Sequence, residues 1–242
     1  RTIDIARKMD VHPNTVRLYE RVGLIAPAQR RPNGYRVFTD LHLAQFSLAR
    51  KALQVEYLRN GLRKKAVEII KVTAVCDFDR ALHLAHEYLA QIRREQHNAE
   101  EALTITEELL RSDKKDVDGT LLTRKETADY LGVSIDALRN WEMNGLLTVK
   151  RKQNGYRVYA PEDIRILKII RSLRCANYSL ASILHLLSSL SRDPSVDIRG
   201  VIDTPPKDDI TCVCDRLLTS LGHAEQNARD MITHLTDMRS RF

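Results

Sequence analysis

Apolar residues recur at alternating steps of three and four positions along two long stretches of the chain, 81–110 and 217–238. This spacing predicts helices with a single apolar stripe, of the kind that pair in coiled coils. The two stretches are related, because residues 95–99 align with residues 224–228. We therefore expect two homologous helices that pack against each other in antiparallel orientation. The stripes consist of Leu82, Ala85, Leu89, Ile92, Gln96, Ala99, Leu103, Thr106 and Leu110, and of Leu217, Leu221, Ala224, Ala228, Met231, Leu235 and Met238.

Each half is predicted to begin with two short helices, and a third helix follows later, from about Asp40 to Val55 and from about Pro161 to Cys175, with apolar positions that should pack under the first two. In the first half the second of them runs from about Pro13 to Arg21, since proline suits the first turn of a helix. In the second half Thr123 begins one helix, Ser134 caps the next, and that helix ends near Met143. Two helices of this length joined by a tight turn form a helix-turn-helix, whose second helix can enter the major groove of DNA.

A basic segment follows each predicted helix-turn-helix, at 29–38 and at 150–159. Both contain Asn-Gly-Tyr-Arg-Val followed by an aromatic residue, and Asn-Gly between two extended pieces indicates a β-hairpin. A hairpin with cations on both arms and a tyrosine beside the turn can contact phosphates next to the groove. Ordinary surface charge on a solvated hairpin is the alternative, but the position of both hairpins directly after a helix-turn-helix favours DNA.

The matching order of these segments shows that the chain is an internal duplication. Its fold class is accordingly mainly α, with two winged helix-turn-helix domains, each followed by a long helix, and with the long helices pairing as an antiparallel coiled coil. The predicted parts are a first winged domain (1–72), a first pairing helix (73–111), a linker (112–120), a second winged domain (121–191), an insertion that the first half lacks (192–211) and a second pairing helix (212–242).

Charge alternates along the 242 residues, whose formal net charge is +7. Residues 1–65 hold 14 Lys and Arg against 5 Asp and Glu, and residues 119–192 hold 12 against 6. Acidic residues prevail in 66–118 and in 193–242. Basic winged domains that alternate with acidic helical segments indicate two polyanion-binding domains separated by parts that do not touch the polyanion.

The combination of these motifs resembles the DNA-binding domain of the MerR family of bacterial transcription regulators. The resemblance rests on the helix-turn-helix, Arg-x-Tyr/Trp-Glu, Gly-Leu-Ile/Leu, the Asn-Gly-Tyr-Arg-Val-aromatic hairpin and an arginine on the next helix, over about 1–70 and 121–190. It implies that residues of both halves lie at DNA-contact positions. These are Arg17, Tyr19, Arg31, Tyr35, Arg36 and Arg50 in the first half, and Arg139, Trp141, Arg151, Tyr156, Arg157 and Arg171 in the second.

The two halves differ where bases are expected to be read. Asn14 and Thr15 face the groove in the first half, where the second half has Asp136 and Ala137. An aspartate repels phosphate but can accept a hydrogen bond from the amino group of cytosine. Trp141 also differs from its counterpart, since only its indole N–H can donate to a phosphate. We therefore expect two unequal half-sites in the DNA.

MerR-type proteins pair their long helices between two subunits, whereas this chain holds two such helices of its own. We expect an intramolecular pseudo-dimer that binds promoter DNA and distorts it, with RNA polymerase as a further partner. A homodimer with four DNA-binding domains is the alternative, because pairing between chains uses the same stripes. A second alternative is a protein-interaction module, in which one or both winged domains bind a protein instead of DNA.

Other chemistry finds little support in the sequence. Cys76, Cys212 and Cys214 are expected to be buried structural thiols, because Cys76 and Cys214 head opposite antiparallel helices and cannot share an ion. No metal site, cofactor, catalytic arrangement or membrane-spanning segment is predicted, so we expect a cytoplasmic protein that is not an enzyme. The sequence does not identify an effector.

Overall fold

The computed structural model describes residues 1–54, 61–112, 120–150, 155–204 and 216–242. The chain divides into two compact units, which we call unit 1 (Arg1–Arg94 with Ser220–Phe242) and unit 2 (Glu95–Thr219). The fold is mainly helical, as predicted. In chain order the elements are α1 (Thr2–Lys8), α2 (Pro13–Arg21), β1 (Gln29–Arg30), β2 (Arg36–Val37), α3 (Asp40–Ala52), α4 (Leu62–Ala74), α5 (Phe78–Arg111), β3 (Leu122–Thr123), α6 (Arg124–Leu131), α7 (Ile135–Met143), β4 (Val158–Tyr159), α8 (Pro161–Cys175), α9 (Leu180–Arg192), α10 (Ile198–Ile202) and α11 (Leu217–Arg241).

Both helix-turn-helix motifs form through left-handed turns and side-chain caps. Asp10 and Gly132 occupy equivalent turn positions, with φ of 50° and 63°. Helix α2 is capped by His12, whose Nδ1 accepts the Asn14 N–H at 3.2 Å, and α7 by Ser134, whose hydroxyl accepts a backbone N–H at 3.0 Å. Caps of this kind satisfy N–H groups that the first helical turn leaves unpaired. The turn and the start of each second helix are thus fixed locally.

Each unit has its own apolar core beneath the helix-turn-helix. In unit 1 Val16 from α2 packs with Phe46 from α3, and both are fully buried. In unit 2 Leu138 from α7 packs in the same cluster as Leu167 and Ile170 from α8. In each half the third helix (α3 or α8) therefore packs against the buried face of the second helix of the helix-turn-helix (α2 or α7), as its apolar positions predicted.

The two long helices bury most of their predicted stripes. Within unit 1, Arg93 Nε of α5 lies 3.1 Å from Glu225 Oε1 of α11, and Arg239 Nη1 of α11 lies 3.0 Å from Asp79 Oδ1 of α5. The pairs run in opposite order along the two helices, so these segments are antiparallel. Coiled-coil pairing over the whole length of the helices stays a prediction. The fully buried stripe positions are Ala85, Ile92, Ala99, Leu103, Thr106, Ala224, Ala228, Met231, Leu235 and Met238.

Each unit combines the winged domain of one half with a long helix of the other half. In unit 1, α11 meets α3 through Lys51 Nζ and Asp230 Oδ2 at 3.4 Å, and His234 Nε2 donates to the Ala44 carbonyl at 3.1 Å. In unit 2, Asn177 donates to Glu95 of α5 at 3.0 Å. Arg165 of α8 there donates to the last carbonyl groups of α5, those of Leu109 and Leu110. Each winged domain therefore contacts the long helix of the other half, α11 in unit 1 and α5 in unit 2.

Part of the predicted insertion is ordered structure. It contains α10, which buries Ile198 and Ile202. Asp203 accepts the backbone N–H groups of Leu218 and Thr219 at 3.1 and 3.3 Å and so caps the start of α11. Residues 205–211 of the insertion, Cys212, Cys214 and linker residues 113–119 lie outside the described residues.

No helix in the described ranges combines the length and the apolar character that a membrane crossing requires.

A buried glutamine joins three segments of unit 1. Gln45 of α3 is 1% exposed, its Oε1 accepts the Ala26 N–H at 2.8 Å, and its Nε2 donates to the Thr73 carbonyl at 3.0 Å. We predict that Gln45→Leu lowers the free energy of unfolding by about 2–4 kcal/mol, because two buried backbone groups lose their partner. Chemical denaturation followed by circular dichroism measures this. Gln54→Leu, at an exposed site, serves as the control, and equal stability of both variants would contradict the assignment.

Candidate DNA-binding surface

The recognition helices α2 and α7 present equivalent polar pairs to solvent. Arg17 Nη1 donates to Asn14 Oδ1 at 3.1 Å, and Arg139 Nη1 lies 3.5 Å from Asp136 Oδ1. All four residues are exposed. The two helices therefore share a geometry but differ in charge, since one pairs its arginine with an amide and the other with a carboxylate. Thr15 and Ala137, the next residues in the two halves, are partly exposed.

The first wing is a short hairpin in which β1 pairs with β2 and Arg30 lies opposite Arg36. Gly34 turns the chain with a φ of 82°, a conformation that favours glycine. The turn leaves Tyr35 65% exposed and Arg31 exposed. Both side chains are therefore accessible to an external partner.

The second wing has a partly different framework. Strand β4 pairs with β3, which precedes α6, with Thr123 opposite Val158, and the Val158 N–H also donates to the Lys150 carbonyl at 3.1 Å. Tyr156 is 73% exposed, like its counterpart in the first wing. Arg151, a predicted contact, lies outside the described residues.

The wing arginines point inward, onto the recognition helices. Arg36 Nε donates to Glu20 Oε2 at 2.6 Å, and Arg157 Nε lies 2.7 Å from Glu142 Oε2. Glu20 and Glu142 are the glutamates of the repeated Arg-x-aromatic-Glu motif, so both copies form the same ion pair. In the sequence these glutamates served only as part of the motif that carries the family resemblance. Their repetition beside a repeated arginine was the signal that could have identified the pair.

Glu142 accepts hydrogen bonds from more groups than Glu20 does. Besides Arg157, it binds Arg124 Nη2 at 2.7 and 3.0 Å and the hydroxyl of Tyr159. Burial, followed by the hydrogen bond to Glu142, raises the pKa of Tyr159. The hydrogen bond with Tyr159 raises the pKa of Arg124. In the first half Glu20 binds Arg36 and the Ala28 N–H, the latter at 3.1 Å.

The aromatic residues of the same motif face the cores. Trp141 is 6% exposed and belongs to the apolar cluster of unit 2. Tyr19 is partly exposed and stacks on Phe46 with a centroid distance of 4.5 Å. The burial of Trp141 argues against the DNA contact that the motif suggested, because the core encloses the indole ring. Tyr19 keeps an accessible face.

Arg50 and Arg171 occupy equivalent sites on α3 and α8, and both are exposed. Neither forms an ion pair with a described residue. Their guanidinium groups are therefore available to an external anion. Together with the recognition-helix arginines and the wing tyrosines, they give each unit an exposed set of cationic and hydroxyl groups.

The cysteines do not form a metal site in the part of the chain that the structure describes, where no cluster of three or more His, Cys, Asp or Glu is suited to an ion. Cys76 and Cys175 are exposed. The expectation that Cys76 is a buried structural thiol is therefore wrong, because it lies in the turn between α4 and α5, with a φ of 63°, and not within a packed helix.

We call each winged domain, with its helix-turn-helix, wing and supporting helix, a head, and both heads contain a segment of the MerR class. A sequence profile described as MerR family regulatory protein matches residues 1–38, and one described as MerR HTH family regulatory protein matches residues 122–190. Each half thus carries a MerR-family segment, and the family inferred from the motifs is confirmed.

Curated relatives agree with this assignment. The chain is 41% identical over 54 residues to the HTH-type transcriptional regulator CueR of Salmonella typhi, which covers 22% of this chain and 39% of the relative. It is 30% identical over 74 residues to the HTH-type transcriptional repressor CarH of Myxococcus xanthus, covering 30% of this chain and 25% of the relative. The chain therefore spans about two-fifths or less of the length of these relatives. No solved structure gave a significant match.

The ion-pair cluster at Glu142 should be a main source of stability in unit 2. We predict that Glu142→Ala lowers the free energy of unfolding by about 2–4 kcal/mol, because two arginines and a hydroxyl lose a shared, largely buried acceptor. Trp141 is the single tryptophan, so its fluorescence during chemical denaturation reports on this unit. Asp136→Ala, which removes an exposed carboxylate of the same helix, should change stability by less than about 0.5 kcal/mol. A similar loss in both variants would count against the cluster.

Proposed function

We propose that the chain is a DNA-binding transcription regulator that grips a promoter duplex with both winged domains. The observation that carries the proposal is the repetition of one exposed set in two MerR-family heads. Each head presents an arginine on the recognition helix, an arginine on the supporting helix and a tyrosine at the tip of the wing. These groups suit phosphates on either side of a major groove. The residues are Arg17, Arg50 and Tyr35, and Arg139, Arg171 and Tyr156.

In this proposal the wing arginines position the wing and do not contact DNA themselves. Arg36 and Arg157 each bind a glutamate of the recognition helix. They therefore hold the wing at a fixed angle to the helix and act on DNA through the exposed tyrosine beside them. Such positioning lowers the entropy that the wing loses on binding.

The reading of bases is proposed to differ between the heads. Asn14 can form two hydrogen bonds with adenine, whereas Asp136 can accept one from the amino group of cytosine. The pairs with Arg17 and Arg139 orient these side chains before DNA is bound. The preferred DNA should accordingly have two unequal half-sites.

We further propose that one chain is an intramolecular pseudo-dimer, equivalent to the two subunits of a MerR-type dimer. The support is the mutual exchange of helices, since each unit already contains a head from one half and a long helix from the other. Promoter distortion, a contact with RNA polymerase and a cytoplasmic location belong to the same proposal. Distortion can realign promoter elements for polymerase.

DNA binding is tested with a duplex selected from a random library, by fluorescence anisotropy at several salt concentrations. The double variants Arg17→Ala/Arg50→Ala and Arg139→Ala/Arg171→Ala should each lower affinity by about 10- to 100-fold. Each should also lower the slope of log affinity against log salt by about 2, because two phosphate contacts are lost. Arg94→Ala, which removes an exposed cation from α5, should leave both quantities unchanged.

Two results would contradict this assignment. If the double variants bind like the unchanged protein, the exposed set does not contact DNA. If no duplex is selected although the protein is folded, the protein-interaction module becomes the better description.

The number of chains on DNA tests the pseudo-dimer. We expect light scattering to give the mass of one chain, 27.8 kDa, for the free protein and one chain per duplex in the complex. Internal pairing buries the stripes that a second chain would otherwise use. A stable mass of two chains, unchanged by dilution, would favour the homodimer.

A further inference from the structure

A cavity of about 570 Å³ lies in unit 2 between the second part of α5 and α8. Its size falls in the range of sites for small molecules, which is about 300–1,000 Å³. It lies where the long helix meets the helix that supports the recognition helix. The DNA-binding role does not account for this space.

The two walls of the cavity differ in chemistry. On α5 the wall contains Asn98 and Glu101 and an apolar strip of Ala102, Ile105 and Leu109, which share one face of the helix because they are three and four positions apart. On α8 the wall includes Lys168 and Arg171. Apolar side chains thus face cationic ones across a single space.

The charge of the lining favours an anion. Lys168 and Arg171 are its cations, and Glu101 is its one acid. The ammonium of Lys168 also lies 5.2 Å from the ring centroid of Tyr130, within reach of a cation–π interaction. Arg171 forms no ion pair with any residue that the structure describes. Its charge is therefore available to a ligand.

Unit 1 shows how the equivalent place is packed when it holds larger side chains. In unit 1, α11 meets α3, and the repeat aligns Met231 with Ala102 and Lys51 with Ser172. Met231 is fully buried, and Lys51 Nζ lies 3.4 Å from Asp230 Oδ2, the counterpart of Glu101. Unit 2 thus has a smaller side chain at each of two positions that unit 1 fills with a buried methionine and an ion-paired lysine.

We propose that the cavity of unit 2 binds a small amphipathic organic anion, with its apolar body against Ala102, Ile105 and Leu109 and its anionic group against Arg171 and Lys168. A pocket of this kind fixes a ligand by apolar burial and orients it by a few charged groups. Arg171 also belongs to the exposed set assigned to DNA. A bound anion therefore neutralises a phosphate contact of the second head and weakens its grip, a consequence that rests on the proposed function.

The binding step is tested without DNA, with 8-anilinonaphthalene-1-sulfonate as the probe, because it joins an apolar aromatic body to an anionic group. We expect saturable fluorescence enhancement with one site per chain. Ala102→Met/Ser172→Lys gives unit 2 the side chains of unit 1, and the new lysine can pair with Glu101. This variant should remain folded and bind the probe at least about tenfold more weakly, since the apolar space is filled.

A matched control uses the same two kinds of substitution at exposed sites of α9. Ala181→Met/Ser191→Lys should bind the probe like the unchanged protein. Equal binding by the filled variant, equal loss in the control, or no saturable binding by the unchanged protein would each overturn the proposal.

The requirement for an anion is tested with N-phenyl-1-naphthylamine, which has the same aromatic body without the sulfonate. Arg171→Ala should weaken binding of the sulfonate about 3- to 10-fold and that of the neutral probe by less than about twofold. Equal losses for the two probes would overturn the assignment of the anionic group to Arg171.

The effect on DNA is measured last, with the selected duplex. The sulfonate should lower the affinity of the unchanged protein for DNA, but not that of the filled variant. If the probe binds the cavity while no duplex binds the protein, the proposed function fails and the site stands. If the protein binds DNA but not the probe, the ligand site fails and the proposed function stands.

Discussion

The apolar stripes of the two long helices impose the constraint on which the rest of the structure depends. A helix with such a stripe needs a partner surface, and in each unit it packs with the head of the other half. Lys51 and Asp230 mark this contact in unit 1, and Arg165, which binds the end of α5, marks it in unit 2. A guanidinium at the carbonyl end of a helix also interacts favourably with the helix dipole. The core beneath the first helix-turn-helix consists of residues of the first half alone, so the contacts with the long helices extend the packing of each unit beyond that core.

A second interaction fixes the position of the wing relative to the recognition helix in each head. The ion pairs Arg36–Glu20 and Arg157–Glu142 join the wing to the recognition helix in both copies. The second copy adds Arg124 to its glutamate, so a larger part of its winged domain depends on one carboxylate. Because these side chains are mostly buried, each arginine loses its pairing if the glutamate is removed. The exposed Tyr35 and Tyr156 directly precede these arginines in the chain, so the ion pairs also fix where the two tyrosines lie.

Most of the fold could be predicted from the sequence, because helices and hairpins have local signals. Periodicity indicated the long helices, and Asn-Gly indicated the wings. Two kinds of feature were missed. The motif placed Trp141 among the DNA contacts, yet a motif does not tell which side of a helix meets the core. The bonds of Gln45 to Ala26 and Thr73 join residues 19 and 28 positions away, and no local pattern reports partners at such separations.

Duplication within one chain allows an asymmetry that a symmetric dimer cannot have. In a homodimer any substitution appears in both heads, so a change that opens a cavity in one head opens it in the other. Here Ala102 and Met231 occupy equivalent places and differ, as do Asn14 and Asp136 on the recognition helices. Under the proposed function, a ligand bound at the second head leaves the DNA contacts of the first head in place. Under the same proposal, such a ligand lowers the affinity for DNA without releasing the duplex, because the two half-sites contribute separate free energies. The proposal thus assigns anchoring on DNA to the first copy of the repeat and the response to a ligand to the second.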